Sequence, residues 1–207
     1  AVIFDLDGVI VSTDECHYRA WKKTADEEGI YFDRKINDRL RGVSRMDSLE
    51  IVLERAERLY TDEEKVELAE RKNNYYKEYI KKLTKDDILN GVNENLAELK
   101  AKGIKVAIGS SSKNTPDILK YIGLDNYFGD VSDGNNITKS KPDPEVFLKA
   151  ADMLGVPYEK CLVVEDADSG IEAGKRAGMY TLAVNNAKGA DYSLADLSAG
   201  KITDYIN

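Results

Sequence analysis

The chain predicts an α/β protein: a doubly wound, Rossmann-like parallel sheet forming a core domain, with an all-helical cap domain inserted after the first strand. Three observations carry this. Short β-branched or aromatic runs at 2–4, 104–108, 161–164 and 181–184 alternate, beyond residue 100, with amphipathic stretches of about a dozen residues, as in a parallel sheet covered on both faces. Between residue 14 and residue 85 no run reads as a strand, and helical periodicity takes over. The strand runs end in acids or hydroxyls, and an open parallel sheet gathers its ligands outside the carboxyl ends of its strands. The expected division is 1–13 with 88–207 for the core and 14–87 for the cap.

The opening run Val2-Ile3-Phe4 leads into Asp5-Leu6-Asp7-Gly8. Alternate strand residues share a face, so Asp5 and Asp7 fall close together. Two like charges that near disfavour each other's ionisation unless a cation or a proton intervenes. Residues 14–28 read as a helix with Asp14 as N-cap and Gly29 past its end. Ala20, Trp21, Thr24 and Ala25 form its inner face, which His17 shares from four residues before Trp21. A second helical stretch, 34–40, ends near Gly42. Ser44-Arg45-Met46-Asp47 has capping-box form and precedes Leu49, Val52, Leu53, Ala56 and Leu59 at helical spacing. Thr61-Asp62-Glu63-Glu64 opens a long charged helix with Val66, Ala69, Tyr76, Ile80 and Leu83 inward. Tyr75, Tyr76 and Tyr79 read as cap core or cap surface, without chemistry.

Past Asn90-Gly91, residues 93–102 form a short helix closed by Gly103, and strand 104–108 runs into Gly109-Ser110-Ser111-Ser112. Thr115-Pro116 starts the next helix as N-cap and first-turn proline. A short strand follows at 127–131, and Asp143-Pro144 starts a helix to Leu154. Strand 161–164 ends in Glu165-Asp166, and Ser169-Gly170-Ile171-Glu172 caps a helix closed by Gly178. The tail from Lys188 is weakly patterned and is expected to cover the sheet's edge.

Composition narrows the function classes. The 207 residues carry a formal net charge of −8, which argues against a nucleic-acid partner, since that binding needs clustered Lys and Arg. No apolar run approaches the ~20 residues of a membrane span, and none reads as a signal peptide. Cys16 and Cys161 have no metal or redox spacing, so free thiols in a reducing, cytoplasmic setting are expected. With His17 the only histidine, a nitrogen and sulfur zinc site is disfavoured, and oxygen ligands point to Mg²⁺ or a similar hard ion. Asp5, Asp7, Ser110, Ser112, Glu165 and Asp166 at strand ends, with Lys141 before a helix, describe a metal site beside an anion site. Phosphate is the anion such sites usually handle.

Together these motifs resemble the haloacid dehalogenase superfamily. Asp5-Leu6-Asp7-Gly8, Ser110, Lys141-Pro142 and Glu165-Asp166 stand in its order, and the helical insertion matches the small cap of one branch. The β-phosphoglucomutase branch is the nearest in pattern. It is matched by Gly8-Val9-Ile10, His17-Tyr18-Arg19-Ala20-Trp21, Gly42-Val43-Ser44-Arg45, Arg71-Lys72-Asn73 and Ser110-Ser111-Ser112-Lys113-Asn114.

The resemblance implies a Mg²⁺-dependent mutase interconverting β-glucose 1-phosphate and glucose 6-phosphate through an aspartyl phosphate, with glucose 1,6-bisphosphate as priming intermediate. Asp5 is then the nucleophile and Asp7 the general acid/base, while Ser110 and Lys141 hold the transferring phosphoryl group. One ion is bound by Asp5, the Asp7 carbonyl, Glu165 and Asp166. Thr13, His17, Trp21, Gly42, Val43, Ser44, Arg45, Lys72, Ser112, Lys113 and Asn114 form the substrate-binding set, with Arg45 reading the non-reacting phosphate as the cap closes. The expected partner is a small sugar phosphate, with no nucleic acid, no membrane and a monomeric chain. Three positions depart from the family pattern: Arg41 for a lysine, Asn90 for a proline and Ala167 for a serine. A sugar-phosphate phosphatase shares every core residue of this pattern, and a non-catalytic phosphosugar-binding protein retains the fold. The cap segments separate the mutase from the first, and an intact catalytic set weighs against the second.

Overall fold

The computed structural model describes residues 1–40 and 43–206. Six parallel strands, β1 (Val2–Phe4), β2 (Val106–Gly109), β3 (Asp130–Ser132), β4 (Leu162–Glu165), β5 (Tyr180–Ala183) and β6 (Tyr192–Ser193), form one sheet in the order β3-β2-β1-β4-β5-β6. Strand β1 is central because it is apolar at every position and buried on both sides, as a parallel strand flanked by helices must be. Phe4 pairs in register with Ile108 on one side and Val164 on the other. The strand order reverses between β1 and β4, where open α/β sheets form their ligand crevice.

The helices are α1 (Asp14–Glu27), α2 (Arg34–Asp38), α3 (Arg45–Leu53), α4 (Asp62–Ile80), α5 (Val92–Ala101), α6 (Thr115–Tyr121), α7 (Glu145–Leu154) and α8 (Asp168–Arg176). The chain forms two compact units, residues 1–12 with those from Leu83 onward, and Thr13–Lys82. Residues 83–87, placed with the cap from sequence, cluster with the sheet. In the sheet unit, Val146, Phe147, Ala150 and Ala151 of α7 pack on Ile3, Ala107, Cys161 and Val163. In the helical unit, Trp21, Ala25, Phe32, Ile36, Leu49, Val52, Leu68 and Ala69 make a separate core.

Several element ends differ from expectation. The N-cap of α1 is Thr13, not Asp14. Helix α3 stops at Leu53, because the chain must turn through 54–60 to reach the Thr61 capping box of α4, and this leaves Leu59 95% exposed. Val66 is 58% exposed: at about 100° per residue it lies about 120° around α4 from Lys72. Strand β3 begins at Asp130, because Tyr127 is occupied in a turn from Leu124. Asn114 and Ala167, not Thr115 and Ser169, stand at the starts of α6 and α8, and neither caps with its side chain.

The tail does reach the sheet's edge, as β6 pairs with β5. It is also fastened from the other side by Asn95, a buried α5 residue. Asn95 Nδ2 donates to the carbonyls of Leu197 at 2.8 Å and Gly200 at 3.3 Å, and Oδ1 accepts from Ile202 N–H at 2.8 Å. Asn95→Ala orphans the buried Ile202 amide, so an unfolding free energy about 2–3 kcal/mol lower is expected in urea titrations. A midpoint equal to the parent chain's would show that the tail is held without this clamp.

Candidate active site

The sheet order sets the site. Because β1 lies between β2 and β4, the residues leaving these three strands meet at one edge. Extending the register by one residue brings Asp5 level with Glu165, and Asp5 N–H is fixed on the Val164 carbonyl at 2.9 Å. Asp5, Glu165 and Asp166 each present a carboxylate oxygen within 4.8 Å of the others. Asp5 and Glu165 are buried.

Lys141 enters this cluster from the loop before α7. Its Nζ donates to Asp5 Oδ1 at 2.5 Å and to Glu165 Oε1 at 2.6 Å. Burial works against the ammonium, but the two carboxylates override it and raise its pKa. Burial pushes Asp5 up to about 6 despite Lys141, with the Glu165 charge adding to the effect. Asp166 is pushed up to about 8, by burial first and then by the charges of Asp5, Glu165 and Asp7. Fully ionised, the three carboxylates and one ammonium leave two negative charges in a buried site. An all-oxygen donor set carrying that charge fits one hard divalent cation. The Asp7 carboxylate does not join the cluster.

Backbone details keep the acids in place. The turn after Asp5 closes through Gly8 N–H to the Val11 carbonyl at 2.8 Å. Gly8 has φ +82°, and a Cβ there would stand 2.0 Å from Asp166 Oδ2. A Cβ on Gly170, in the first turn of α8, would stand 1.8 Å from Glu165 Oε1. The Ala167 N–H donates to Glu165 Oε2 at 2.8 Å, so the position that departs from the family pattern still orients this acid through its backbone.

Ser110 is buried at the end of β2 and accepts from Ser112 N–H at 3.3 Å, while Ser112 Oγ accepts from Asn114 N–H at 3.2 Å. Asn114 is buried and Lys113 exposed. Asn135 Nδ2 donates to the Lys113 carbonyl at 3.0 Å. Two residues without a role in the sequence reading support this edge. Glu145 Oε2 accepts from the Thr138 and Lys139 amides at 2.9 and 2.8 Å and anchors the loop ahead of Lys141. Asn185, with φ 53°, donates to the Gly8 carbonyl at 2.8 Å. Their sequence signals are slight: an acid at a helix start, and an Asn pair after a strand, where left-handed backbone is tolerated.

The helical unit gathers its own polar set. Lys72, assigned to substrate binding from the family pattern, stands in a Lys- and Glu-rich helix yet is only 3% exposed. Its Nζ lies 2.8 Å from His17 Nδ1 and 4.9 Å from the centre of the Trp21 ring. Burial, then Lys72 and Arg45, hold the His17 pKa well below its usual value. The imidazole is therefore neutral, with Nδ1 accepting and the proton on Nε2. Trp21, assigned to substrate binding from sequence, is buried in the core of this unit against Lys72. Thr13 is buried as well. Arg45 lies in the first turn of α3 beside its N-cap Ser44, whose Oγ accepts from Asp47 N–H at 3.3 Å. Partial burial lowers the Arg45 pKa. Val43 is exposed; Arg41 and Gly42 lie outside the described residues. Arg71, beside Lys72 in the motif, is engaged by Glu27, Glu28 and Glu67.

Residues 1–178 match the haloacid dehalogenase-like hydrolases. The chain is 46% identical over 196 residues to a β-phosphoglucomutase of Bacillus subtilis, covering 92% of this chain and 87% of that one. It is 33% identical to a phosphorylated carbohydrates phosphatase of Thermotoga maritima, covering 86% and 82%. A crystal structure of β-phosphoglucomutase from Clostridium difficile superposes with a TM-score of 0.90 at 39% identity, covering 99% and 94%.

The raised carboxylate pKa values give a linkage prediction. Between about pH 4 and pH 8 the folded site retains protons that the unfolded chain releases, so without metal the stability falls as pH rises through that window. A Mg²⁺ ion held by these acids would take the place of those protons. Its stabilising shift in melting temperature should therefore be small at pH 5 and grow to several degrees by pH 8, as read by differential scanning fluorimetry with and without EDTA. A shift independent of pH would remove these acids as the ligands.

Proposed function

Because this chain belongs to the haloacid dehalogenase-like hydrolase family, we propose that it is a phosphosugar mutase converting β-glucose 1-phosphate to glucose 6-phosphate. The observation that carries the reading is Asp5, buried between Lys141 and two further acids, in a chain whose likeness to a mutase runs through both units. One Mg²⁺ ion, held by Asp5, Glu165, Asp166 and the Asp7 carbonyl, supplies charge neutralisation to the incoming phosphate when bound.

Asp5 is the nucleophile. With its pKa near 6 it is mostly ionised at pH 7, and its oxygen bonds to phosphorus as the phosphorus–oxygen bond to the donor sugar breaks. Lys141 and the Ser110 hydroxyl offset the charge on the transferring phosphoryl oxygens. Asp7 gives its proton to the departing sugar oxygen and, in the return step, takes one from the attacking hydroxyl. Transfer from the phosphorylated Asp5 to β-glucose 1-phosphate makes glucose 1,6-bisphosphate. Return of the other phosphate to Asp5 releases glucose 6-phosphate.

The non-reacting phosphate is assigned to Arg45 with Gly42, Val43 and Ser44, where a helix N-terminus already favours an anion. His17 and Lys72 serve the sugar, with Ser112, Lys113 and Asn114 contributing from the sheet unit. The 33% identity to a sugar-phosphate phosphatase supports a second reading, in which water takes the phosphoryl group.

A single assay separates the two. Given β-glucose 1-phosphate, Mg²⁺ and a trace of the 1,6-bisphosphate, the chain should form glucose 6-phosphate in large excess over free phosphate, and Asp5→Asn should lower this turnover by at least about a thousandfold. Free phosphate as the main product would replace the mutase by the phosphatase.

A further inference from the structure

Besides the acids, the sheet edge carries a second set of contacts, between the turn that follows β2 and the loop that follows β3. The turn supplies Ser110 and Ser112, and each hydroxyl oxygen accepts one backbone N–H. Ser110 Oγ accepts from Ser112 N–H at 3.3 Å, and Ser112 Oγ accepts from Asn114 N–H at 3.2 Å. A hydroxyl that accepts in this way keeps its own proton to donate, so both can serve an anion. Where those protons point is set by the peptide planes of the turn.

The planes are gripped from the β3 loop. The Ser112 carbonyl accepts from Gly134 N–H at 3.2 Å and from Thr115 Oγ1 at 2.9 Å. The Lys113 carbonyl accepts from Asn135 Nδ2 at 3.0 Å. The Lys113 carbonyl and the Asn114 N–H belong to one planar peptide unit. A donor that holds the first therefore orients the second, and with it Ser112 Oγ. Asn135 is aimed in its turn. Its Nδ2 also donates to Asp133 Oδ2 at 3.2 Å, and Asp133 Oδ1 accepts its N–H at 2.8 Å. Asp133 is buried at the end of β3, and its own N–H donates to Asn136 Oδ1 at 3.0 Å. The two segments are in close contact, since a Cβ on Gly134 would stand 2.6 Å from the Ser111 carbonyl oxygen.

We propose that Asn135 is a positioning residue for phosphate: aimed by Asp133, it fixes the Lys113–Asn114 peptide so that Ser112 Oγ presents its proton to a phosphate oxygen. The inference rests on the reading of this edge as a phosphate site, which the mutase and the phosphatase share. Asn135 is exposed, so removing its amide deletes a hydrogen bond without opening a cavity in the core.

The test is the dissociation constant for inorganic phosphate at saturating Mg²⁺, by isothermal titration calorimetry, in wild type, Asn135→Ala, Ser112→Ala and the double variant. The shift in melting temperature produced by Mg²⁺ alone is read alongside. Asn135→Ala should weaken phosphate about fivefold, in keeping with one lost hydrogen bond, and leave the Mg²⁺ shift as it is. Ser112→Ala should weaken phosphate at least as much, and adding Asn135→Ala to it should cost nothing more, because the hydroxyl it orients is gone. Asp133→Asn loses one of the two bonds to Asn135 in either amide orientation. It should weaken phosphate in the same direction, and it provides the test if Asn135→Ala does not fold. An Asn135→Ala constant equal to that of wild type, or an effect that persists in full in Ser112→Ala, would overturn the proposal. So would a loss of the Mg²⁺ shift together with phosphate binding, which marks a general loosening of the edge. A wild type that does not bind phosphate would instead remove the phosphate reading, so the two failures are distinguishable.

Discussion

The contact on which the sheet unit's chemistry depends is the Lys141 ammonium lodged between Asp5 and Glu165. Two buried carboxylates with a third beside them are an expensive arrangement, and one ammonium meets only part of the cost. The surroundings follow from that. Glu145 holds the loop ahead of Lys141, Ala167 orients Glu165, and the Asp5 amide is fixed on the neighbouring strand. The charge that remains fits a hard divalent cation.

The helical unit also buries a lysine, but by a different route. Lys72 meets an imidazole nitrogen and two aromatic faces. His17 in turn owes its neutrality to burial and to the cations around it. Each unit thus encloses a lysine by packing partners around its ammonium.

Much of this was legible in the residues. Asp5 with Asp7 and Glu165 with Asp166 stand out because paired acids after apolar runs have few other uses, and the period change near residue 14 marks the insertion. Other features required the third dimension. Val66 and Tyr76 sit on one helix at plausible inward spacing, yet one faces solvent and the other is buried with its hydroxyl on Thr13; only the packing of α1 against α4 decides between them. The burial of Lys72 could not be read from its charged neighbours on α4. Ser169 seemed a better cap than Ala167 by residue type, but the start of α8 is dictated by the need to bring an amide to Glu165.

The close approaches at Gly8 and Gly170 have a wider consequence. The hollow around Asp166 and Glu165 is shaped partly by side chains that are missing, so two positions with no functional group share the strictness of the acids they border. A survey that ranks residues by intolerance to replacement would place both among the reactive ones. Functional importance at this site is therefore not the same as chemical participation: part of the site's specification is a volume that must stay empty of protein.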